Sequence, residues 1–377
     1  MKIAIVSPRV LGALGTPSTY SSQQLNLARC WAEDGHSVDL ITMKGQELER
    51  ACLGPGVRLH LLSGIALGGI RLALMWATKD ILRGDDYDFV LASEHYQPET
   101  AAACIQSSRV LIYQGQNWPG ASFKNRTALR LLEASVGRVT RERCMGVIAK
   151  TRRARDFLAE RGFAPIRVIP CGYDDSRFFP PSPKQRAEAR DALGASVGEM
   201  VMVYAGNLVK RRDVASAVRA VGLLARQGRR VRLLVVGDGP EGPRLRSLAA
   251  SLHLRKDVAF TGVLPWSRLR QVFWAGDVFV FPAHYEIFGL VVLEAMACGL
   301  AVLSTPVGGA ADLLRDGENG TFIPPGDPAA LADRITSLLD APDHLEAIRH
   351  AARREVRHLT WKTVAGRFIN QVRADFS

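Results

Sequence analysis

Two glutamates eight positions apart, Glu286 and Glu294, lie in the segment Phe281-Pro-Ala-His-Tyr-Glu-Ile-Phe-Gly-Leu-Val-Val-Leu-Glu-Ala-Met-Ala-Cys-Gly299. The pattern reads as a strand end, then a short loop carrying Glu286. Gly289 permits close backbone approach as a helix begins, with Leu290 in its first turn and Glu294 further along. A helix start presents unpaired N–H groups and the positive end of a dipole, a natural cradle for a diphosphate. A carboxylate on either side could then hold sugar hydroxyls. Spacing alone fits a core helix with two solvent-facing acids equally well.

Other segments carry complementary chemistry. Gly206-Asn207-Leu-Val-Lys210-Arg211-Arg212-Asp213 follows a strand and precedes a helix. An Arg there supplies a fork of donors for phosphate and a Lys a point charge, or the run is a solvated basic turn. Gly237-Asp-Gly239-Pro-Glu-Gly242 is formally G-x-G-x-x-G, which suggests NAD binding, while Pro240 also fits a simple turn at a helix start. Near the other end, the loop Arg9–Tyr20 contains Gly12 and Gly15, either for close approach to a ligand or as a plain strand–helix connection. His95 ends one strand, and Gln116-Asn117 lie just past the next. The two amides can bind sugar hydroxyls but cannot act as bases near neutral pH. His95 is the nearby titratable group, structural or substrate-positioning. Asp86-Tyr-Asp88 precedes a strand and reads as a polar turn. No His/Cys/Asp/Glu cluster has metal spacing, so no metal is expected.

The elements that position these residues alternate. Lys2–Val6, Ser37–Thr42, Phe89–Ala92, Val110–Tyr113, Gly146–Ala149 and Arg167–Ile169 read as buried strands, with helices at Ser21–Glu33, Pro98–Gln106, Thr127–Arg143 and Arg152–Arg161. Four prolines between Pro170 and Pro183 interrupt the pattern. It resumes with strands at Met200–Tyr204, Val231–Val236, Val258–Thr261, Val278–Phe281, Ala301–Ser304 and Gly320–Ile323. This predicts two α/β domains with parallel sheets, 1–170 and 186–358, a hinge at 171–185, and a last helical segment in 359–377 that crosses back to the first domain. Ligands are expected at the carboxyl ends of the strands, in an interdomain cleft.

The chain has 377 residues, 47% hydrophobic and 23% charged, an ordinary globular mixture long enough for two domains. A formal charge of +12 favours anionic partners without choosing among them. Six scattered cysteines without a C-x-x-C pair argue for free thiols in a reducing compartment. The amino terminus reads as a strand rather than a signal peptide. Leu61–Ala77, the most apolar stretch, is broken by Arg71 and glycines and is expected to form a buried or interfacial helix. The arginines in Lys124–Arg143 suit an anionic lipid surface or acceptor, or a packed helix with solvated charges. A cytoplasmic protein, free or peripheral at the inner face of the membrane, is the resulting expectation. Nucleic-acid binding has only net charge behind it.

Glu286, Phe288, Gly289 and Glu294 resemble the E-x-F-G-x-x-x-x-E signature of retaining GT-B glycosyltransferases, the family-4 (group 1) enzymes that use nucleotide sugars. Leu27-Ala28 through Gly35-His36, Ile169–Asp174, Val236–Pro240, Thr305–Gly309 and Asp316–Gly320 resemble further family stretches in order. The resemblance implies two facing Rossmann-like domains, with a UDP-, GDP-, ADP- or dTDP-linked sugar as donor and a hydroxyl acceptor. It implies no metal or other cofactor. Glu294 would bind the ribose, Glu286 would act near the donor sugar, and Arg211 and Arg212 would stabilise the leaving diphosphate. Donor contacts would include Gly206, Asn207, Lys210, Gly237, Val263, Phe288, Gly289, Leu290 and Gly15, and acceptor contacts His95, Gln116 and Asn117. The sequence departs from the family pattern at Asn207 (usually Arg), Asp213 (usually Gly), Ser18-Thr19 (usually paired glycines) and Gln116-Asn117 (usually a histidine). A scaffold that binds the donor without transfer, an NAD-linked oxidoreductase and a nucleotide-sugar epimerase are the alternatives.

Overall fold

A computed structural model describes residues 1–7, 23–43, 55–62, 64–67, 70–73, 78, 81–82, 86–115, 127, 130–196 and 198–375. The chain forms two compact units, Met1–Gly172 together with Trp361–Ser377, and Tyr173–Thr360.

The first unit is built on a seven-stranded parallel sheet. Its strands are β1 (Lys2–Val6), β2 (Ser37–Met43), β3 (Val57–Leu62), β6 (Phe89–Ser93), β7 (Val110–Gln114), β8 (Gly146–Ala149) and β9 (Ile166–Val168), in the order β3-β2-β1-β6-β7-β8-β9. The central strands are buried along their length, as sheets covered on both faces require. The helix Trp361–Asp375 belongs to this unit: Trp31 donates its indole N–H to the Ala365 carbonyl at 3.0 Å and meets Phe368 edge-on at 5.8 Å.

The expected helix over Leu61–Ala77 does not form. β3 ends there with Leu61 42% exposed, and an antiparallel hairpin, β4 (Gly64–Leu67) and β5 (Ile70–Ala73), follows. Glycines are poor helix formers, and the β-branched Ile65 and Ile70 favour a pleated ribbon. Among the described residues, no helix is long and apolar enough to cross a membrane. In the basic segment, Glu133–Gly137 forms a π-helical turn that leads into the helix Arg138–Arg143. Arg130, Arg138, Arg141 and Arg143 are exposed, whereas Lys124, Arg126 and Leu129 lie outside the described residues.

The second unit has a six-stranded parallel sheet of β10 (Met200–Ala205), β11 (Val231–Val236), β12 (Val258–Gly262), β13 (Val278–Phe281), β14 (Ala301–Ser304) and β15 (Thr321–Phe322), ordered β12-β11-β10-β13-β14-β15. Asp277, just before β13, accepts the Val201 N–H at 2.8 Å and pairs with Arg186 at 2.5 Å and Arg190 at 3.0 Å. These bonds fix β13 beside β10. Strand order reverses between those two strands, as it does between β1 and β6 in the first sheet. At such switch points the loops leaving the carboxyl ends diverge and open a ligand crevice.

Candidate active site

The loops after β10 and β13 carry the two groups of charged residues singled out by sequence, so the switch point of the second sheet brings them together. Lys210–Arg212 forms a 3₁₀ turn. The Arg212 guanidinium contacts the Glu286 carboxylate and lies 4.9 Å from the centre of the Phe281 ring. Arg211 donates to the Tyr285 carbonyl at 3.2 Å and stands 3.7 Å from Glu286 Oε2, while its own carbonyl accepts the His284 N–H at 2.9 Å. Lys210 is exposed and outside this cluster. Arg212 Nη1 and Glu286 Oε2 meet in this ion pair, whereas Arg212 Nε is buried without a hydrogen-bond partner among the described residues. A guanidinium with a spare donor in a largely desolvated place is where an anion gains most.

Glycines bring these loops close. A Cβ on Gly308 would stand 2.9 Å from the Phe288 carbonyl oxygen and 3.1 Å from that of Glu286, and the Gly309 N–H donates to the Phe288 carbonyl at 2.7 Å. Phe288 is 2% exposed and presses its ring on Gly309, so it supports the loop from inside. Gly289 (φ +84°) turns the chain into the helix Leu290–Ala297, and the half-buried Leu290 begins that helix. Gly237 and Gly239 have a packing role. A Cβ on Gly237 would fall 2.0 Å from the Gly206 carbonyl oxygen, and one on Gly239 2.5 Å from that of Leu208. The G-x-G-x-x-G pattern is therefore explained by the close approach of two loops. Asn207 is exposed and its carbonyl accepts the Tyr204 hydroxyl at 3.1 Å. Val263, just past β12, is 53% exposed.

Glu294 lies in a different environment. It is 6% exposed, and no hydrogen bond from the described residues reaches its carboxyl. Burial pushes its pKa up to about 8; nearby Asp174 adds to the rise and Arg177 opposes it. In the free protein near neutral pH this group is mostly a neutral acid. A ligand offering two hydroxyl donors would stabilise the carboxylate instead.

In the first unit His95 follows β6 and is buried. Its Nδ1 and backbone N–H both lie 2.8 Å from Gln114 Oε1, and its Nε2 is 3.7 Å from Glu133. His95, beside Glu133, holds that carboxyl below its ordinary range, with Arg161 contributing. These groups line a cavity of about 240 Å³ with Gly137, Arg141 and Phe163. Gly15, Gln116 and Asn117 lie outside the described residues. Asp88 accepts the Lys2 N–H at 2.7 Å, and among the described residues no group of three His, Cys, Asp or Glu side chains is placed to hold a metal ion.

Sequence reasoning passed over His284 and Ser216. Asp213 has a left-handed backbone (φ 44°, ψ 44°), accepts the Ser216 hydroxyl at 2.6 Å and faces His284 Nε2 at 3.5 Å. The signal was a histidine two positions before Glu286, within a segment already singled out.

Two α/β units with parallel sheets, and paired charged loops at a switch point, define a protein of the GT-B glycosyltransferase fold. The family described as Glycosyltransferase Family 4 matches residues 23–177 and that described as Glycosyl transferases group 1 matches residues 185–355; the chain belongs to this group. It is similar to sucrose-phosphate synthase from Thermosynechococcus elongatus (TM-score 0.78, 22% identity, 99% of each chain). It is also similar to HepE of Anabaena, solved with UDP (TM-score 0.80, 20% identity, 99% of this chain and 100% of that one) and with UDP-glucose. A D-inositol 3-phosphate glycosyltransferase of Acidothermus cellulolyticus is 37% identical over 211 residues, which are 53% of this chain and 46% of that protein. The chain thus matches about half the length of such curated relatives.

Proposed function

We propose that this protein is a retaining glycosyltransferase that moves a sugar from a nucleoside-diphosphate sugar to a hydroxyl acceptor without a metal ion. The observation that carries this reading is the meeting of Arg211, Arg212 and Glu286 at the switch point. Eight positions after Glu286 comes the buried Glu294, whose carboxyl no hydrogen bond from the described residues reaches. The arginines hold the diphosphate and stabilise its charge as it departs, aided by the helix N–H groups after Gly289. Glu294 accepts the ribose hydroxyls. Glu286 lies near the donor sugar and is not required to be a covalent nucleophile.

In the transfer, the bond from the anomeric carbon to the phosphate oxygen breaks and one to the acceptor oxygen forms. The acceptor proton passes to the leaving phosphate oxygen on the same face, which gives retention without a glycosyl-enzyme intermediate. The first unit takes the acceptor near His95, Gln116 and Asn117, and its exposed arginines make contact with an anionic membrane at the inner face. UDP is the first donor nucleotide to test, because HepE was solved with it.

The reading is tested by thermal-shift titration with UDP, GDP, ADP, dTDP and NAD, followed by donor-consumption assays with the nucleotide sugars of whichever base binds. Stabilisation by one nucleoside diphosphate with donor turnover is expected. Stabilisation by NAD alone would overturn the proposal. Binding without turnover across many acceptors would favour a scaffold, to which the unusual Asn207 and Asp213 lend the only specific support.

A further inference from the structure

We infer that His284, oriented by Asp213, is an additional cationic donor for the diphosphate, which the protein uses alongside Arg211 and Arg212; this rests on the donor reading above. Asp213 is the starting observation. A non-glycine residue is strained in the left-handed region, and Asp is among the few that tolerate it. In return the carboxylate is anchored by the buried Ser216 hydroxyl at 2.6 Å and stands 3.5 Å from His284 Nε2. The backbone of His284 is tied to the same turn, its N–H donating to the Arg211 carbonyl at 2.9 Å.

At 3.5 Å the Asp213 carboxylate faces the Nε2 edge of the ring, and Nδ1 is the edge left for a ligand. Among the described residues nothing hydrogen-bonds Nδ1, and the side chain is 51% exposed. Asp213 is the charged side chain against the imidazole; of the neighbouring groups, Arg212 pairs with Glu286, Arg211 stands 3.7 Å from that carboxylate, and Lys210 is exposed outside the cluster. A bound diphosphate supplies the counter-charge and favours the imidazolium, whose Nδ1–H then becomes a donor to a phosphate oxygen.

The test compares affinities for a nucleoside diphosphate and its parent nucleoside, UDP with uridine or the pair chosen by the nucleotide panel. The ratio cancels whatever happens at the ribose. Between pH 8 and pH 5.5 the wild-type preference for the diphosphate should grow about tenfold more than in His284→Asn. His284→Lys should keep the stronger preference at pH 8. Asp213→Gly, which suits the left-handed backbone, should weaken the pH response while leaving uridine-type binding and the unfolding temperature close to wild type. The same ratio in wild type and His284→Asn at every pH would overturn the inference. Failure of wild-type protein to bind any of the diphosphates would instead overturn the donor reading on which it rests.

Discussion

Glu286 and Glu294 lie eight positions apart yet are held by opposite physics. Glu286 sits in a loop against two guanidiniums, with Arg212 in contact and Arg211 at 3.7 Å. Glu294 is buried in a helix, no hydrogen bond from the described residues reaches its carboxyl, and desolvation drives its pKa up to about 8. Identical side chains are thus prepared for different tasks. The first is committed to an ionic cluster before any ligand arrives, while the second has no hydrogen-bonded partner among the described residues and can accept from a ribose diol. The contrast predicts that removing charge at the two positions has opposite effects on the free protein.

The largest expected effect comes from disturbing only the Glu286 side of the comparison. Gly308→Ala places a methyl group against the Phe288 and Glu286 carbonyls at a positive φ, and should cost about 3 kcal/mol, visible as a lower urea midpoint and loss of turnover. Next, Arg212→Ala removes a preorganised donor and leaves Glu286 half-paired. Turnover should fall by about 10²–10³-fold in a nucleoside-diphosphate release assay, with a smaller change in nucleotide affinity. Glu294→Gln should weaken nucleotide binding about tenfold by calorimetry with little further effect on the Arg212 cluster. Wild-type nucleotide affinity should itself rise with pH up to about 8, because binding requires the carboxylate, and this contribution should be absent from the variant. Lys210→Ala should change turnover less than about twofold, since an exposed lysine outside the cluster contributes little.

Much of this arrangement was legible in the residues. The β-branched runs separated by helical patterns gave the two parallel sheets because strands buried on both faces must be apolar throughout, and the run Val278–Phe281 shows this directly. The hairpin at Gly64–Ala73 departs from the expected helix because short apolar runs do not distinguish helix from strand, and glycines within such a run fit either. At the site, a strand–loop–helix pattern located Glu286 and Glu294, but periodicity could not say that one is paired and the other isolated. The Gly237 and Gly239 pattern was also ambiguous. Only the carbonyls of Gly206 and Leu208, brought close by the neighbouring strand β10, explain those glycines. Asp213 looked like a departure from a family pattern. Its partners Ser216 and His284 come from a helix and a different loop, so the relation became visible only in three dimensions.

The most direct test is the pH dependence of unfolding for wild type and Glu294→Gln, each with and without the best-binding nucleoside diphosphate. A buried acid with a raised pKa keeps its proton in the folded state while the unfolded chain has released it, so folding stability falls as pH rises between the two values. Without nucleotide, wild type should lose about 1.4 kcal/mol per pH unit relative to the variant between about pH 5 and pH 8. Nucleotide should largely cancel that loss in wild type and stabilise the variant much less. Parallel pH curves for the two proteins, or equal stabilisation of both by nucleotide, would contradict the role assigned to Glu294 and with it the donor site.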